Sequence, residues 1–206
     1  MVRNVTSNDT GLKVLYQPKD KSSAKLDIVA VHGIGAHPDH TWSEDIAPQK
    51  SDPSEQDTKE RSSCYVNWLA DPTMLPSALP KARIMRYGYM SKWFGTDATQ
   101  TNVNIVAPKL LMELKLERKL GGEGPPSDME KRPLLFIAHC FGGLVVMQAL
   151  LEAARNPKDW PGIYNAVIGI VFFGTPFRGA EQIGQTEMIM AAQSKYSDEV
   201  YEEVCV

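Results

Sequence analysis

Cysteine is scarce in this chain of 206 residues, and long apolar runs are absent. The three cysteines, Cys64, Cys140 and Cys205, are odd in number and widely spaced, so neither a disulfide framework nor a zinc knuckle is expected. No apolar run approaches the roughly 18 residues of a membrane-spanning helix. The first residues contain neither a secretory signal nor an arginine-rich presequence. We therefore expect an intracellular, cytoplasmic chain without a transmembrane segment.

Excess positive charge is also missing. The formal net charge is −3, with 23% charged and 43% hydrophobic residues. This balance provides neither a basic patch for nucleic acid nor a polybasic arm for anionic lipid. A chain of this length can bury a hydrophobic core without disulfide or metal crosslinks. We expect a single domain over residues 1–206 and no nucleic-acid partner.

Short apolar segments alternate with helical patterns along the chain. The alternating segment Gly11–Tyr16 predicts an edge strand, whereas the β-branched run Leu26–Val31 predicts a central strand buried on both faces. Apolar residues at helical spacing predict a helix within 101–119: Val103, Val106, Leu110 and Leu114. Further strands are predicted at 82–89, 134–138 and 166–173, and further helices at 65–69, 142–155 and 181–204. This alternation predicts an α/β fold whose mostly parallel sheet is flanked by helices.

Two polar segments rich in helix and strand breakers, 49–63 and 121–133, are predicted to be flexible surface loops. The glycines of the second segment lack a preceding strand and a following Lys-Ser/Thr, so they do not form a phosphate cradle. His37 and His40 lie three residues apart without a third ligand nearby in the sequence. We expect them at the polar rim of a cleft, and we expect neither a metal nor a cofactor.

The segment RPLLFIAHCFGGLVVMQAL, residues 132–150, is typical of a strand, a tight turn and a helix. Its centre, Ala-His-Cys-Phe-Gly, follows the Gly-x-Ser-x-Gly pattern of a nucleophile elbow, with Cys140 at the position of the serine. Unpaired amides and the helix dipole at that point favour a negatively charged sulfur. The alternative is that Cys140 is a small buried core residue. His139 points elsewhere and is expected only to pack beside the turn.

A second motif, VAVHGIGAHPDHTW at residues 29–42, predicts a strand followed by a glycine-rich loop. In α/β-hydrolases such a loop donates one backbone N–H to the oxyanion hole, and the residue after the nucleophile donates the other. The main chains of Ile34 or Gly35, together with Phe141, are therefore the candidate oxyanion donors. The alternative interpretation is an ordinary glycine-rich turn between a strand and the next element.

Three segments in this order, VHGIGAHPDHTW, FIAHCFGGLVVMQAL and GIVFFGTPFRGA, resemble the lipase-like, serine-active-site-containing (SERAC-type) group of the α/β-hydrolase superfamily. The group includes domains fused to fungal NACHT/NLR-type receptors. The resemblance spans roughly residues 11–180. It implies hydrolysis of an ester, lipid or thioester, or acyl transfer, and this chemistry requires neither a metal nor a cofactor. It also implies an intracellular setting, in some members at a membrane.

The chain departs from this group around the nucleophile. Cys140 replaces the serine, and Phe177 stands where the group often has the histidine of Gly-Thr-Pro-His. The triad of this fold runs nucleophile, acid, histidine, but no histidine follows Cys140, and we expect the last strands of the sheet to be lacking. Three explanations fit: a C-terminally truncated hydrolase, a non-catalytic relic, or an out-of-order base supplied by His37 or His40.

These observations predict a hydrolase or acyltransferase-like protein for a small-molecule acyl or lipid ester, with Cys140 as nucleophile and with activity weakened by the missing histidine. Peripheral contact with a membrane is compatible with this prediction. The alternative is a catalytically inactive, hydrolase-like interaction or signalling module. In that case a protein partner is expected to cover the open edge of the sheet.

Overall fold

The computed structural model describes residues 5–46, 65–91, 102–120 and 132–177. Within these ranges the main sheet has five strands: β1 Gly11–Tyr16, β2 Leu26–Val31, β5 Ala82–Gly88, β6 Leu134–His139 and β7 Val167–Phe173. A separate two-stranded antiparallel sheet consists of β3 Ser43–Asp45 and β4 Tyr65–Asn67. The predicted loop 49–63, nearly all of the predicted loop 121–133, and the predicted helix 181–204 lie outside the described residues. So does any strand that would follow residue 177.

Four α-helices connect these strands in the described part of the chain. They are α1 Leu75–Ala78, α2 Val103–Leu120, α3 Phe141–Arg155 and α4 Ile163–Ala166. None of the described helices combines the length and the apolar character that crossing a bilayer requires. The predicted helices 101–119 and 142–155 are confirmed as α2 and α3, each to within two residues at either end.

The strand order of the main sheet is β1-β5-β2-β6-β7. β1 runs antiparallel to β5, and the other pairs are parallel. The predicted edge strand β1 and the predicted central strand β2 are both confirmed. Since the parallel strands end at the same edge of the sheet, the loops after β2, β5, β6 and β7 meet there.

Hydrophobic residues cover both faces of the sheet. On one face, alternate residues of the strands pack with α2 and α3, which contribute Leu110, Leu114, Val145 and Ala149. On the other face, Ile28, Ala30 and Ile84 pack against residues near β3, β4 and α1, which include Trp42 and Leu69. Every residue of β2 from Asp27 to Val31 is buried, as expected for a central strand between two layers.

The predicted helix at 65–69 is wrong: Tyr65–Asn67 form β4. This strand pairs in antiparallel register with Ser43–Asp45. The side chain of Asn67 also accepts a hydrogen bond from the Leu69 N–H at 3.0 Å and donates to the Asp39 carbonyl at 3.3 Å. Pairing with a segment more than twenty residues earlier in the chain therefore decides this local structure.

An ion cluster lies at the amino ends of the parallel strands. Asp27 is fully buried, and Arg83, Arg118 and Arg132 donate hydrogen bonds to its carboxylate at 2.9 to 3.1 Å. Arg83 also bonds the Glu117 carboxylate at 2.9 Å. The cluster joins the beginnings of three strands to α2, because its members come from β2, β5, α2 and the residue two before β6.

Replacing Asp27→Asn is expected to lower the free energy of unfolding by about 3–5 kcal/mol, because the buried Arg83 and Arg118 and the partly buried Arg132 would lose their common counter-charge. Urea denaturation measures this change. Asp20→Asn is the matched control, since the exposed Asp20 carboxylate accepts hydrogen bonds from the nearby Ser22 side chain and backbone and lies outside the cluster. Equal stability of the two variants would contradict a structural role for the cluster.

Candidate functional site

Cys140 lies at a strained turn between β6 and α3. Its backbone has φ 51° and ψ −123°, and it is the one non-glycine residue with positive φ in the described part of the chain. Its N–H donates to the Phe173 carbonyl at 2.8 Å, which ties the turn to the end of β7. Such a conformation costs of order 1–3 kcal/mol and persists only where the surrounding structure imposes it. The Cys140 side chain is half-buried.

Two glycines allow α3 to begin this close to the sheet. A Cβ at Gly142 would lie 2.5 Å from the His32 carbonyl oxygen and closer still to that of Val31. A Cβ at Gly143 would overlap the hydroxyl of Thr175, which follows β7. The first turn of α3 therefore presses against the end of β2 and against the segment after β7. No larger residue fits at either position without moving the backbone.

The glycine-rich loop after β2 contacts the Cys140 turn. A Cβ at Gly33 would lie 2.9 Å from the Cys140 Cβ. Gly33 begins a tight turn, because its carbonyl accepts a hydrogen bond from the Ala36 N–H at 3.4 Å. Gly35, the third residue of this turn, has φ 67°, a conformation that favours glycine. The main chain of this loop therefore runs directly beside the candidate nucleophile.

The three candidate oxyanion donors differ in their hydrogen bonds. The Gly35 N–H donates to the Ser91 carbonyl at 2.8 Å. Within the described ranges, no partner is found for the N–H groups of Ile34 and Phe141. Phe141 is the first residue of α3, where amides have no partner within the helix. Of the predicted pair in the loop, Ile34 is therefore the residue whose amide is available.

His32 is a structural residue of this loop. Its side chain is fully buried, its Nε2 accepts a hydrogen bond from the Tyr89 N–H at 3.1 Å, and its ring stacks on Tyr89 with 4.3 Å between centroids. Because Nε2 is the acceptor, the proton lies on Nδ1, which is 2.9 Å from the Gly33 carbonyl. Burial lowers the pKa of His32 to about 3, so the ring is neutral near pH 7.

His37 belongs to a buried polar cluster farther along the same loop. Its Nδ1 accepts a hydrogen bond from the Asp39 N–H at 3.2 Å, and its Nε2 lies 3.6 Å from the Asp9 carboxylate. Arg86, also buried, donates to both carboxylate oxygens of Asp39 at 2.9 and 3.3 Å and to the Asp9 carbonyl at 2.7 Å. The cluster therefore holds the outer half of the loop on β5.

The charges in this cluster balance without a bound ion. Burial raises the pKa of Asp39, but the hydrogen bonds and the charge of Arg86 outweigh burial, so the pKa lies below its usual value. Asp9, His37 and Asp39 offer ligand atoms within 4.8 Å of one another. Arg86 already occupies both Asp39 oxygens, and Lys13 lies 3.8 Å from Asp39. A divalent cation would have to displace or face these positive charges, so the residues fit an ion-pair network.

The two remaining histidines flank the site. His139 is the last residue of β6, and its Nδ1 lies 3.1 Å from the position of a Cβ at Gly33. This agrees with its expected packing beside the turn. His40 is exposed, and its ring lies 4.4 Å from that of His37 and 6.3 Å from that of Tyr65. Both ring nitrogens of His37 face the Asp9 and Asp39 cluster, so in this conformation its ring is committed to the loop.

A largely apolar groove of about 700 Å³ begins at Phe141, the residue after Cys140. It runs between the start of α2 and the outer side of α3, and its lining includes Phe141, Leu144, Met147 and Leu151. Along α3 the lining extends from the first helical residue to the eleventh, or roughly 15 Å at 1.5 Å per residue. These dimensions suit an aliphatic chain.

The sequence interpretation did not single out the residues of β5 and its end that support the glycine loop. Arg86 and Tyr89 lie in a segment that reads only as a strand, and Ser91 follows it. Arg86, like Arg83, lies in a strand that is otherwise apolar, and such an arginine is a signal for a buried ion pair. No local signal identifies its partner Asp39, which lies 47 positions earlier in the chain.

The mostly parallel sheet and its flanking helices define an α/β protein, with Cys140 at the junction of a strand and a helix. In sequence the chain is similar to Protein SERAC1 of Bos taurus, with 28% identity over 176 residues, and of Danio rerio, with 27% over 175. The human Protein SERAC1 is 27% identical over 177 residues. Each alignment covers 82% of this chain but 24% of the relative, so the chain corresponds to about a quarter of these proteins.

These similarities support a SERAC-type relationship and a hydrolase-like or acyltransferase-like protein. No protein-family model matches the chain. The expected kinship with domains fused to NACHT-type receptors therefore stays a prediction.

Gly142→Ala is expected to destabilise the protein by about 3 kcal/mol or more, since its methyl group would meet the backbone carbonyl oxygens of Val31, the last residue of β2, and of His32. Gly169→Ala is the control, because a Cβ there would lie 3.2 Å from the mobile end of the Leu135 side chain. It is expected to change stability by less than about 1 kcal/mol. Chemical denaturation compares the two variants, and equal losses would contradict the close approach.

The neutral, buried His32 is expected to make the protein less stable as the pH falls. In the unfolded chain the ring takes up a proton below about 6.5, whereas in the folded chain its pKa is about 3. This group therefore contributes fully above pH 6.5 and progressively less between pH 6.5 and 3. From pH 7 to pH 5 the loss is about 2 kcal/mol.

The measurement is the free energy of unfolding of the wild type and of His32→Gln at both pH values. Groups that titrate in both proteins cancel in the comparison, so the difference isolates His32. An identical pH dependence of the two proteins would show that the ring is not held neutral.

Proposed function

We propose that the chain transfers acyl groups by a thiol mechanism, as an esterase, thioesterase or acyltransferase of α/β-hydrolase type with Cys140 as nucleophile. The observation that carries the proposal is the strained backbone of Cys140, held at the start of α3 against the glycine loop. A conformation of this cost supports a functional role, because a residue with only a packing role has no need of it.

In the proposed reaction the thiolate of Cys140 attacks the carbonyl carbon of an ester or thioester, and the π electrons of the carbonyl move to its oxygen. Collapse of this tetrahedral intermediate re-forms the carbonyl and expels the alkoxide, phenoxide or thiolate, which takes a proton from solvent. Water then attacks the acyl-cysteine, releasing a carboxylic acid and the free thiol. An alcohol or amine in place of water gives acyl transfer.

The oxyanion of the intermediate is proposed to accept hydrogen bonds from the backbone N–H groups of Ile34 and Phe141. Preorganised backbone donors of this kind contribute roughly a hundredfold to a thousandfold each to the rate of acyl transfer. The dipole of α3, fifteen residues long, adds a positive potential at the same place. The Gly35 N–H is hydrogen-bonded to the Ser91 carbonyl, so it is not one of the proposed donors. The proposed role of Gly35 is to adopt the positive φ that the turn requires.

The weak step is proposed to be deacylation. Residues 141–206 contain no histidine, and the ring nitrogens of His32 and His37 already face other groups of the loop. A thiolate can attack an activated ester without a base, but water needs one to attack the acyl-cysteine at a useful rate. The 206-residue chain is therefore expected to accumulate the acyl-enzyme.

The proposed substrate has an apolar acyl group. The groove beside Phe141 extends roughly 15 Å along α3, which suits an elongated aliphatic chain. The exposed side chains at its far end, Met147 and Leu151, are apolar. A lipid ester or a fatty acyl thioester fits this lining.

Incubation with p-nitrophenyl butyrate, followed by intact-mass measurement, is expected to add one butyryl group to the wild type. Cys140→Ala is expected to stay unlabelled, and Cys140→Ser to react far more slowly, because an alcohol ionises less readily than a thiol. The double variant Cys64→Ser/Cys205→Ser keeps Cys140 and is expected to label like the wild type. Equal labelling of wild type and Cys140→Ala would refute the proposal.

A second candidate function is that of a hydrolase-like interaction module. It is favoured by the apolar residues exposed along β7, the last described strand of the sheet, which include Ile168 at 64% and Phe173 at 47% exposure. A partner that adds a strand to this edge would cover them. A wild type that stays unlabelled by the ester, but forms dimers or larger assemblies in light scattering, would favour the module over the enzyme.

A further inference from the structure

We infer that Tyr89 is a positioning residue for the oxyanion hole: its hydroxyl holds the His32 carbonyl and thereby sets the direction of the Ile34 N–H. The inference rests on the proposed function, because it concerns how the same site stabilises an oxyanion. Tyr89 follows β5 by one residue, so its own backbone is anchored to the sheet.

Tyr89 and His32 are joined by three separate contacts. The Tyr89 hydroxyl donates to the His32 carbonyl at 2.8 Å, and the Tyr89 N–H donates to the His32 ring at 3.1 Å. The two rings stack with 18° between their planes. Burial, with a smaller contribution from the nearby Cys140, raises the pKa of Tyr89 well above its usual range, so the hydroxyl keeps its proton.

The Tyr89 hydroxyl orients the peptide group between His32 and Gly33. The His32 carbonyl lies between the Tyr89 hydroxyl and Gly142 of the Cys140 turn, where a Cβ would lie 2.5 Å away. Its orientation is therefore fixed from both sides. The Ile34 N–H belongs to the next peptide group along the chain, so a rotation at His32 would swing that amide relative to the Cys140 sulfur.

Ser91 extends the same support to the far side of the turn. Its carbonyl accepts the Gly35 N–H at 2.8 Å, and its hydroxyl donates to the Ala36 carbonyl at 2.8 Å. Tyr89 and Ser91, which follow β5, therefore form hydrogen bonds with the loop before and after Ile34. The Ile34 amide itself has no partner in the described chain. A donor held in this way needs no reorganisation when negative charge develops on a substrate oxygen.

Tyr89→Phe is the test, because it keeps the ring stack and the backbone hydrogen bond and removes only the hydroxyl. Two rates are compared: acylation by p-nitrophenyl butyrate, which passes through an oxyanion, and alkylation by iodoacetamide, which does not. We expect acylation to fall at least about tenfold, towards the hundredfold that misplacement by an ångström can cost. We expect the alkylation rate to stay within about twofold of the wild type, because the sulfur itself is unchanged.

Tyr87→Phe is the matched control. Tyr87 lies on β5, two residues before Tyr89, is also buried and donates to the Val106 carbonyl at 3.3 Å on α2, away from the glycine loop. It is expected to acylate and alkylate like the wild type. Equal acylation by Tyr89→Phe and the wild type would overturn the inference, and so would a parallel loss of both rates in a folded Tyr89→Phe protein.

If Tyr89→Phe does not fold, Ser91→Ala carries the test. This variant removes the Ser91 hydroxyl, which donates to the Ala36 carbonyl, and leaves the hydrogen bond from the Gly35 N–H to the Ser91 carbonyl. A selective loss of acylation supports the inference, and unchanged acylation overturns it. If the wild type itself is not acylated at all, it is the proposed function that fails and not the inference about Tyr89. The wild-type rate therefore separates the two failures.

Discussion

The close approach between the first turn of α3 and the carboxyl end of β2 is the contact on which the site depends. The carbonyl oxygens of Val31 and His32 occupy the space where a side chain at Gly142 would lie. Since α3 begins so near the sheet, the chain can enter it only through the strained backbone of Cys140. Burial of Val145, Val146 and Ala149 along α3 offsets that cost, because each buried valine contributes roughly 1.5–3 kcal/mol.

The central strand β2 is anchored differently at its two ends. At the amino end, Asp27 is enclosed by three arginines, which fasten three strands and α2 together. At the carboxyl end, β5 supports the loop twice: Arg86 holds Asp39, and Tyr89 holds His32. The part of the loop between these supports carries the Ile34 amide, which has no hydrogen-bond partner in the described chain. Under the proposed function, the Ile34 amide held in this frame and the Phe141 amide are the two donors to the oxyanion.

Local patterns were sufficient where burial alone decides structure. The apolar run Leu26–Val31 became the central strand, and the spacing of Val106, Leu110 and Leu114 became the buried face of α2. They were insufficient at Tyr65–Asn67, where a strand partner distant in the chain overrides the local preference. The candidate nucleophile and glycine loop could be named in advance because glycine and the nucleophile must sit at set positions of such a turn. The hydrogen bonds that join this loop to β5 could not be named in advance.

The sequence by itself determined the α/β class, the strands of the main sheet, the helices α2 and α3, and the position of Cys140 at a strand-to-helix junction. Hydrophobic periodicity and glycine spacing are properties of neighbouring residues, so they can be recognised along the chain. Only the tertiary structure decided that Gly35 is bonded to Ser91 while Ile34 is not, and that His32 and His37 belong to the scaffold. Hydrogen bonds across 47 or 57 positions depend on how the strands assemble, and no local pattern encodes that assembly.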